Sequence, residues 1–167
     1  SRLADLKGAA VSFPAPTALA GTLMPELYLK RHGVDPRRDI RQIFVGTHES
    51  AMVSVATGAA AAACTWPPAW DKFQKERPEL AQKLKVRWRT EPMPNNGLIA
   101  RDDVPEAVRD KVAQALFGLR DSPEGRELLE ALPCQGFVPA GPEDFLPVRD
   151  FIGQYERAVR PLQGLHE

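Results

Sequence analysis

Three short stretches carry the residue types that could hold an anion or a small polar ligand: Thr17-Ala18-Leu19-Ala20-Gly21, Thr47-His48-Glu49-Ser50 and Cys64-Thr65-Trp66. Each follows an apolar run and precedes a helical pattern, so each reads as a turn from a strand into a helix. The first N–H groups of a helix have no intrahelical acceptor, and aligned peptide dipoles place about half a positive charge at that end. Small residues at Ala18, Ala20 and Gly21 let a ligand approach that backbone. In the second stretch Thr47 can cap a helix, Glu49 complements its dipole and His48 can reach over the strand ends. The same residues also suit a capped helix start with an exposed histidine.

Other chemistries are poorly served. His48-Glu49 opens like the helical zinc motif, yet Met52 stands where the second histidine belongs, which argues against a metal. Cys64 and Cys134 lack metal-site or redox spacing. A Cys64–His48 thiol–imidazole pair has no visible third member, so a buried Cys64 and a loop Cys134 are the simpler reading. No Gly-rich phosphate loop or dinucleotide fingerprint occurs, and neither a cofactor nor an enzymatic activity is implied. Trp66 and Trp70, around Pro67-Pro68, either wall a pocket or pack a helix.

The elements that must position these turns follow from patterning. Strands are expected at Ala10 to Ala15, Ile40 to Gly46 and Ala60 to Thr65, the last alanine-rich and so covered on both faces. Between them, Leu23-Met24-Leu27-Tyr28 and Met52-Val53-Val55-Ala56 read as helical stripes ended near Gly33 and Gly58. Such alternation is that of βαβ units, whose ligands lie beyond the carboxyl ends of the strands. Pro25 leaves two starts open for the first helix. Either Thr22 caps it and Pro25 sits in its first turn, or it begins near Ala18 and bends at Pro25.

Further along, a polar helix to about Glu76 and a short one from Pro78 precede a strand from Lys85 to about Glu91. Pro92-Met93-Pro94-Asn95-Asn96-Gly97 suits a hinge or crossover before a strand at Leu98-Ile99-Ala100. Asp103 and Glu106 form a capping-box pattern ahead of Val108, Val112, Ala115, Leu116 and Leu119. Ser122-Pro123 begins another helix, and a last one is expected from about Pro142 to Val159, with Phe145, Val148, Ile152, Tyr155 and Val159 inward.

The 167 residues include 22 basic and 22 acidic side chains, a formal net charge of zero. That removes the electrostatic footprint of a nucleic-acid binder or a polybasic membrane-surface protein. The most basic run, Lys85-Val86-Arg87-Trp88-Arg89, alternates like a solvated edge strand. No apolar run approaches the roughly 20 residues that span a bilayer.

Taken together, Leu3-Ala4-Asp5-Leu6-Lys7-Gly8, Pro16-Thr17…Gly21…Leu23-Met24-Pro25, Val45-Gly46-Thr47-His48-Glu49-Ser50-Ala51 and Asn95-Asn96-Gly97-Leu98-Ile99-Ala100-Arg101-Asp102-Asp103-Val104-Pro105 resemble the phosphate/phosphite/phosphonate substrate-binding components of bacterial ABC importers. These are type II periplasmic binding proteins. The resemblance implies an α/β fold: a mostly parallel sheet with flanking helices, plus C-terminal helices. Residues 1–93 would form the second, ligand-binding lobe with its βαβαβ core. Residues 94–167 would supply a crossover strand and helices that complete lobe one, whose N-terminal part is absent from this sequence. It further implies a protein of the periplasm, or of the outer face of the cytoplasmic membrane, that passes a small anion to an ABC permease, with Thr17, Ala18, Leu19, Ala20, Gly21, Thr47, His48, Thr65 and Trp66 at the ligand. Where the family carries a Ser-Thr-Ser type run, this chain has Ala18-Leu19-Ala20, which keeps the backbone donors but not the hydroxyls. Trp66 replaces a polar residue and favours a less polar relative of those anions. An alternative on the same fold is the ligand-sensing domain of a receptor or regulator. The C-terminal helices, lacking lobe one to pack on, are expected to promote self-association.

Overall fold

In the computed structural model, which describes residues 2–132 and 134–162, the middle of the sheet is β1 (Ala10–Phe13). β2 (Arg41–Phe44) pairs with it on one side and β3 (Ala62–Ala63) on the other, both parallel, giving the order β2-β1-β3. Register runs from Ala10 opposite Arg41 to Phe13 opposite Phe44, and Val11 lies opposite Ala62. All four β1 residues are buried, as befits a central strand, and its one hydroxyl is satisfied: Ser12 Oγ donates to the Ala51 carbonyl at 2.9 Å. The expected Ala60 to Thr65 strand shrinks to two residues that are only half-buried, because a ladder lasts only while a neighbour supplies partners.

Chain order and sheet order together place the strand-to-helix turns. The connection from β1 to β2 carries α1 (Met24–Arg31), and that from β2 to β3 carries α2 (His48–Ala56) past β1. Such a reversal of direction opens a crevice at the carboxyl ends of the strands. α3 (Pro67–Glu76) and α4 (Pro78–Ala81) follow β3.

α1 does not begin at a Thr22 cap. A turn of π-helix, Leu19–Leu23, runs directly into it, with Ala18 in the capping position. Both Thr22 N–H and Leu23 N–H donate to the Ala18 carbonyl, and Met24 N–H to that of Leu19. The wide register lets the helix pass Pro25, which has no N–H to give. Thr22 Oγ1 instead donates to the Ala15 carbonyl at 2.7 Å. Gly33, at φ 79°, ends the helix in the left-handed region that glycine adopts without strain.

Two apolar clusters hold these layers. Leu6, Val11, Phe13, Leu29, Val34 and Ile40 form one, with Trp88 packed against it; Met52, Phe73 and Ala81 form the other, joined by Trp70, Leu80 and Leu84. Trp70 is therefore a packing residue, 6.3 Å ring to ring from Phe73. The segments 85–91 and 98–100 are not strands, since neither finds a ladder partner among the described residues.

Two compact units emerge: residues 1–92 with 149–167, and residues 93–148. In the second, α5 (Glu106–Phe117) starts at Pro105 with no side-chain cap, because Asp103 is held by Arg101, Nε to Oδ1 2.9 Å, and Glu106 pairs with Arg109. Val108 and Val112 are half-exposed, so α5 buries no residue fully. α6 (Pro123–Ala131) keeps its expected cap, Ser122 Oγ accepting from Gly125 N–H at 3.0 Å. The last helix divides into a 3₁₀ turn, Pro142–Phe145, and α7 (Leu146–Ala158), whose buried residues are Phe151 and Tyr155 rather than Val148 and Ile152.

Candidate functional site

The turn after β1 is fixed carbonyl by carbonyl. Phe13 and Pro14 accept from the N–H groups of Val45 and Gly46 at 3.0 and 2.8 Å. Ala15 accepts from Ala18 N–H and Thr22 Oγ1, and Pro16 from Arg160 Nη2 at 2.8 Å. The π-turn therefore starts from a set geometry. Its leading N–H groups, on Leu19, Ala20 and Gly21, precede the first intrahelical bond and are donors without helical acceptors. Thr17 is exposed beside them.

Thr47 caps α2, its Oγ1 accepting from Ser50 N–H at 3.0 Å, so that hydroxyl serves the helix. This start leaves the adjacent His48 half-buried above the strand ends. His48 Nδ1 and Thr65 Oγ1 share a hydrogen bond of 3.2 Å, and its ring centroid lies 5.9 Å from that of Trp66. On its other side the imidazole packs against Gly21: a Cβ there would lie 2.6 Å from His48 Cε1 and 2.6 Å from Pro14 Cγ. Glycine is thus required at 21 by contact, and the π-turn and α2 meet through His48. Burial lowers the imidazole pKa below its ordinary value, favouring the neutral ring.

Gly21, His48, Thr65 and Trp66 come together, with Ala18, Leu19 and Ala20 in the adjoining turn. Thr47 supports His48 from the cap. Cys64 makes no pair with His48, which has taken Thr65; burial, with the nearby Glu26 charge, pushes the thiol up to about 12. α3 begins with Pro67 and Pro68 after Trp66, so its first two residues offer no N–H. The π-turn carries leading donors on Leu19, Ala20 and Gly21, and His48 lies between Gly21 and the Trp66 indole.

Several supporting residues escape a reading of spacing. Pro14, like His48, closes the space beside Gly21, and Arg160 reaches the turn from 144 positions away. Glu26, only 1% exposed, accepts from Gln42 Nε2 and from the Tyr155 hydroxyl. One signal was available: Glu26 lies three residues after Leu23 and beside Leu27, on the buried stripe of its helix.

Backbone donors and one imidazole thus lie beyond the carboxyl ends of a parallel sheet. The fold is the type II periplasmic-binding-protein fold. It matches the crystal structure of a binding-protein component of an ABC phosphonate transporter from Pseudomonas aeruginosa at TM-score 0.84 and 23% identity, covering 93% of this chain and 52% of that one. It also matches PhnD1 from Prochlorococcus marinus in complex with methylphosphonate at TM-score 0.82 and 19% identity, over 94% of this chain and 61% of that one. The sequence belongs to the family described as ABC transporter, phosphonate, periplasmic substrate-binding protein, which it matches over residues 1–145. Among curated relatives, the phosphonates-binding periplasmic protein of Escherichia coli K12 is 24% identical over 153 residues, 91% of this chain and 45% of that protein. The chain thus spans about half the length of the relatives it matches. Among the described residues, no helix is long and apolar enough to cross a membrane.

Proposed function

We propose that this chain supplies the anion-holding lobe of a periplasmic solute-binding protein serving an ABC importer. The observation that carries this reading is the convergence of the Leu19–Gly21 N–H groups, His48, Thr65 and Trp66 beyond the carboxyl ends of β1 to β3. The ligand is a small oxyanion of the phosphonate, phosphite or phosphate class, or a less polar relative with one anionic group. Backbone N–H groups hold its oxygens, His48 adds a donor, and the Trp66 face receives any organic substituent. Thr17 and Thr47 border the site, and Ala18 opens the turn. Closure against the other lobe of a two-lobed protein, and docking on a permease, complete the cycle. Binding without catalysis agrees with a Cys64 thiol held protonated. Exposed apolar side chains in the second unit, among them Leu98 at 70% and Ile99 at 97%, support burial against another copy or the other lobe.

The test is a nuclear magnetic resonance titration of the chain with methylphosphonate, phosphite, phosphate, an alkyl sulfonate and an aromatic carboxylate, which detects weak binding by a single lobe. Amide shifts confined to Leu19, Ala20 and Gly21, with a shift of the His48 imidazole, are expected from at least one alkylated oxyanion. In His48→Ala the affinity for that anion should fall about tenfold, the scale of one hydrogen bond to a charged group. Shifts dispersed over other surfaces, or none with any probe, would overturn the assignment.

A further inference from the structure

We infer that Arg160, beyond the end of α7, is a positioning residue for the anion-holding turn, and that through it the C-terminal segment sets the site's affinity. This rests on the binding reading above.

Four consecutive carbonyls, Phe13 to Pro16, lead into the π-turn. The first two accept from Val45 and Gly46, just after β2, and the third is held within the turn itself. Only Pro16, the one nearest the donor N–H groups, is held by a side chain from a distant part of the chain. A carbonyl that accepts from a guanidinium fixes the plane of the following peptide, here the one that carries the Thr17 N–H and leads to Ala18. Ala18 in turn accepts the first two bonds of the π-turn.

The guanidinium is itself held. Its central carbon lies 5.7 Å from the centroid of the Tyr155 ring, within cation–π range. Tyr155 is fully buried, and its hydroxyl donates to Glu26 on α1, the helix into which the π-turn runs. One short segment therefore grips the turn before the donors and the helix after them. Pre-organisation of this kind reduces the ordering cost of binding without a contact to the ligand.

A guanidinium has two ways to aid an anion site, by holding the turn or by its charge alone, and the substitutions Arg160→Ala and Arg160→Lys separate them. Lysine keeps the charge and loses the planar group over Tyr155. In the unliganded chain, amide hydrogen exchange at Thr22, Leu23 and Met24 should accelerate about fivefold in both variants, while Val45 and Gly46, bonded to the same turn from β2's side, keep their wild-type rates. Affinity for methylphosphonate should fall about tenfold in both, and the loss should persist at high salt, which screens a purely electrostatic contribution. Unchanged exchange at the π-turn, or full affinity in Arg160→Lys, would overturn the proposal. Acceleration at the π-turn in a chain that binds none of the anions would leave the positioning role standing and remove the ligand reading instead.

Discussion

A half-buried imidazole bonded to a threonine hydroxyl responds to pH in one direction. Because burial lowers the His48 pKa, the folded state favours the neutral ring more than the unfolded state does. Its contribution to stability is complete above the unfolded value, about 6.5, and is lost as pH falls from there through the folded value. Thermal unfolding of the wild type should therefore lose more midpoint temperature between pH 7.5 and pH 5.5 than His48→Gln, which cannot titrate. Parallel losses in the two proteins would show that the imidazole is not desolvated in solution. An anion at the π-turn opposes the trend, since negative charge favours the imidazolium, so stabilisation by bound anion should grow toward acid pH. At this scale the sequence was partly legible. His48 and Gly21 stood out by type and by place in the turn, whereas the contact between them joins two turns 27 positions apart and is created only by the parallel register.

At the scale of elements, the junction of the π-turn and α2 allows a direct check. Gly21→Ala introduces a Cβ into space filled by His48 Cε1 and the Pro14 ring. The imidazole end can move, but the proline ring is tied to the backbone. A loss of about 1–3 kcal/mol in urea denaturation is expected, the usual range for overpacking, together with a displaced His48 resonance. A neutral substitution would mean that the turn is looser than described. β1, β2 and the helices α1 to α4 were readable because short apolar runs and a 3.6-residue stripe are local properties. What was not readable depended on partners elsewhere. Lys85 to Glu91 and Leu98 to Ala100 carry strand-like sequences and stay irregular for want of a ladder. The Asp103 capping box yields to the Arg101 guanidinium two residues away. Pro25 left two helix starts open, and the π register resolved them by widening the turn, an arrangement with no composition of its own.

At the scale of the molecule, a polar link deep in the first unit ties the last helix to α1. Tyr155→Phe should leave the Glu26 carboxylate, 1% exposed, without one of its two donors, at a cost of about 1–3 kcal/mol in chemical denaturation. No loss would show that Gln42 alone satisfies Glu26. Burial first, and then the bond to Glu26, raise the phenol pKa above its ordinary value, so the hydroxyl remains a donor across the neutral range. This link also has an order in time. The first unit leaves the chain after Pro92 and resumes at Arg149, and Glu26 is bonded to a residue 129 positions later. A ribosome making the protein therefore releases α1, the sheet and the whole second unit before Tyr155 and Arg160 exist. Until then Glu26 lacks the Tyr155 hydroxyl and Pro16 its guanidinium, so the turn after β1 and the helix beyond it are without these two contacts. α1 and the turn before it are made earlier than α7 but completed only after it, and a chain interrupted before Arg160 lacks the guanidinium on Pro16.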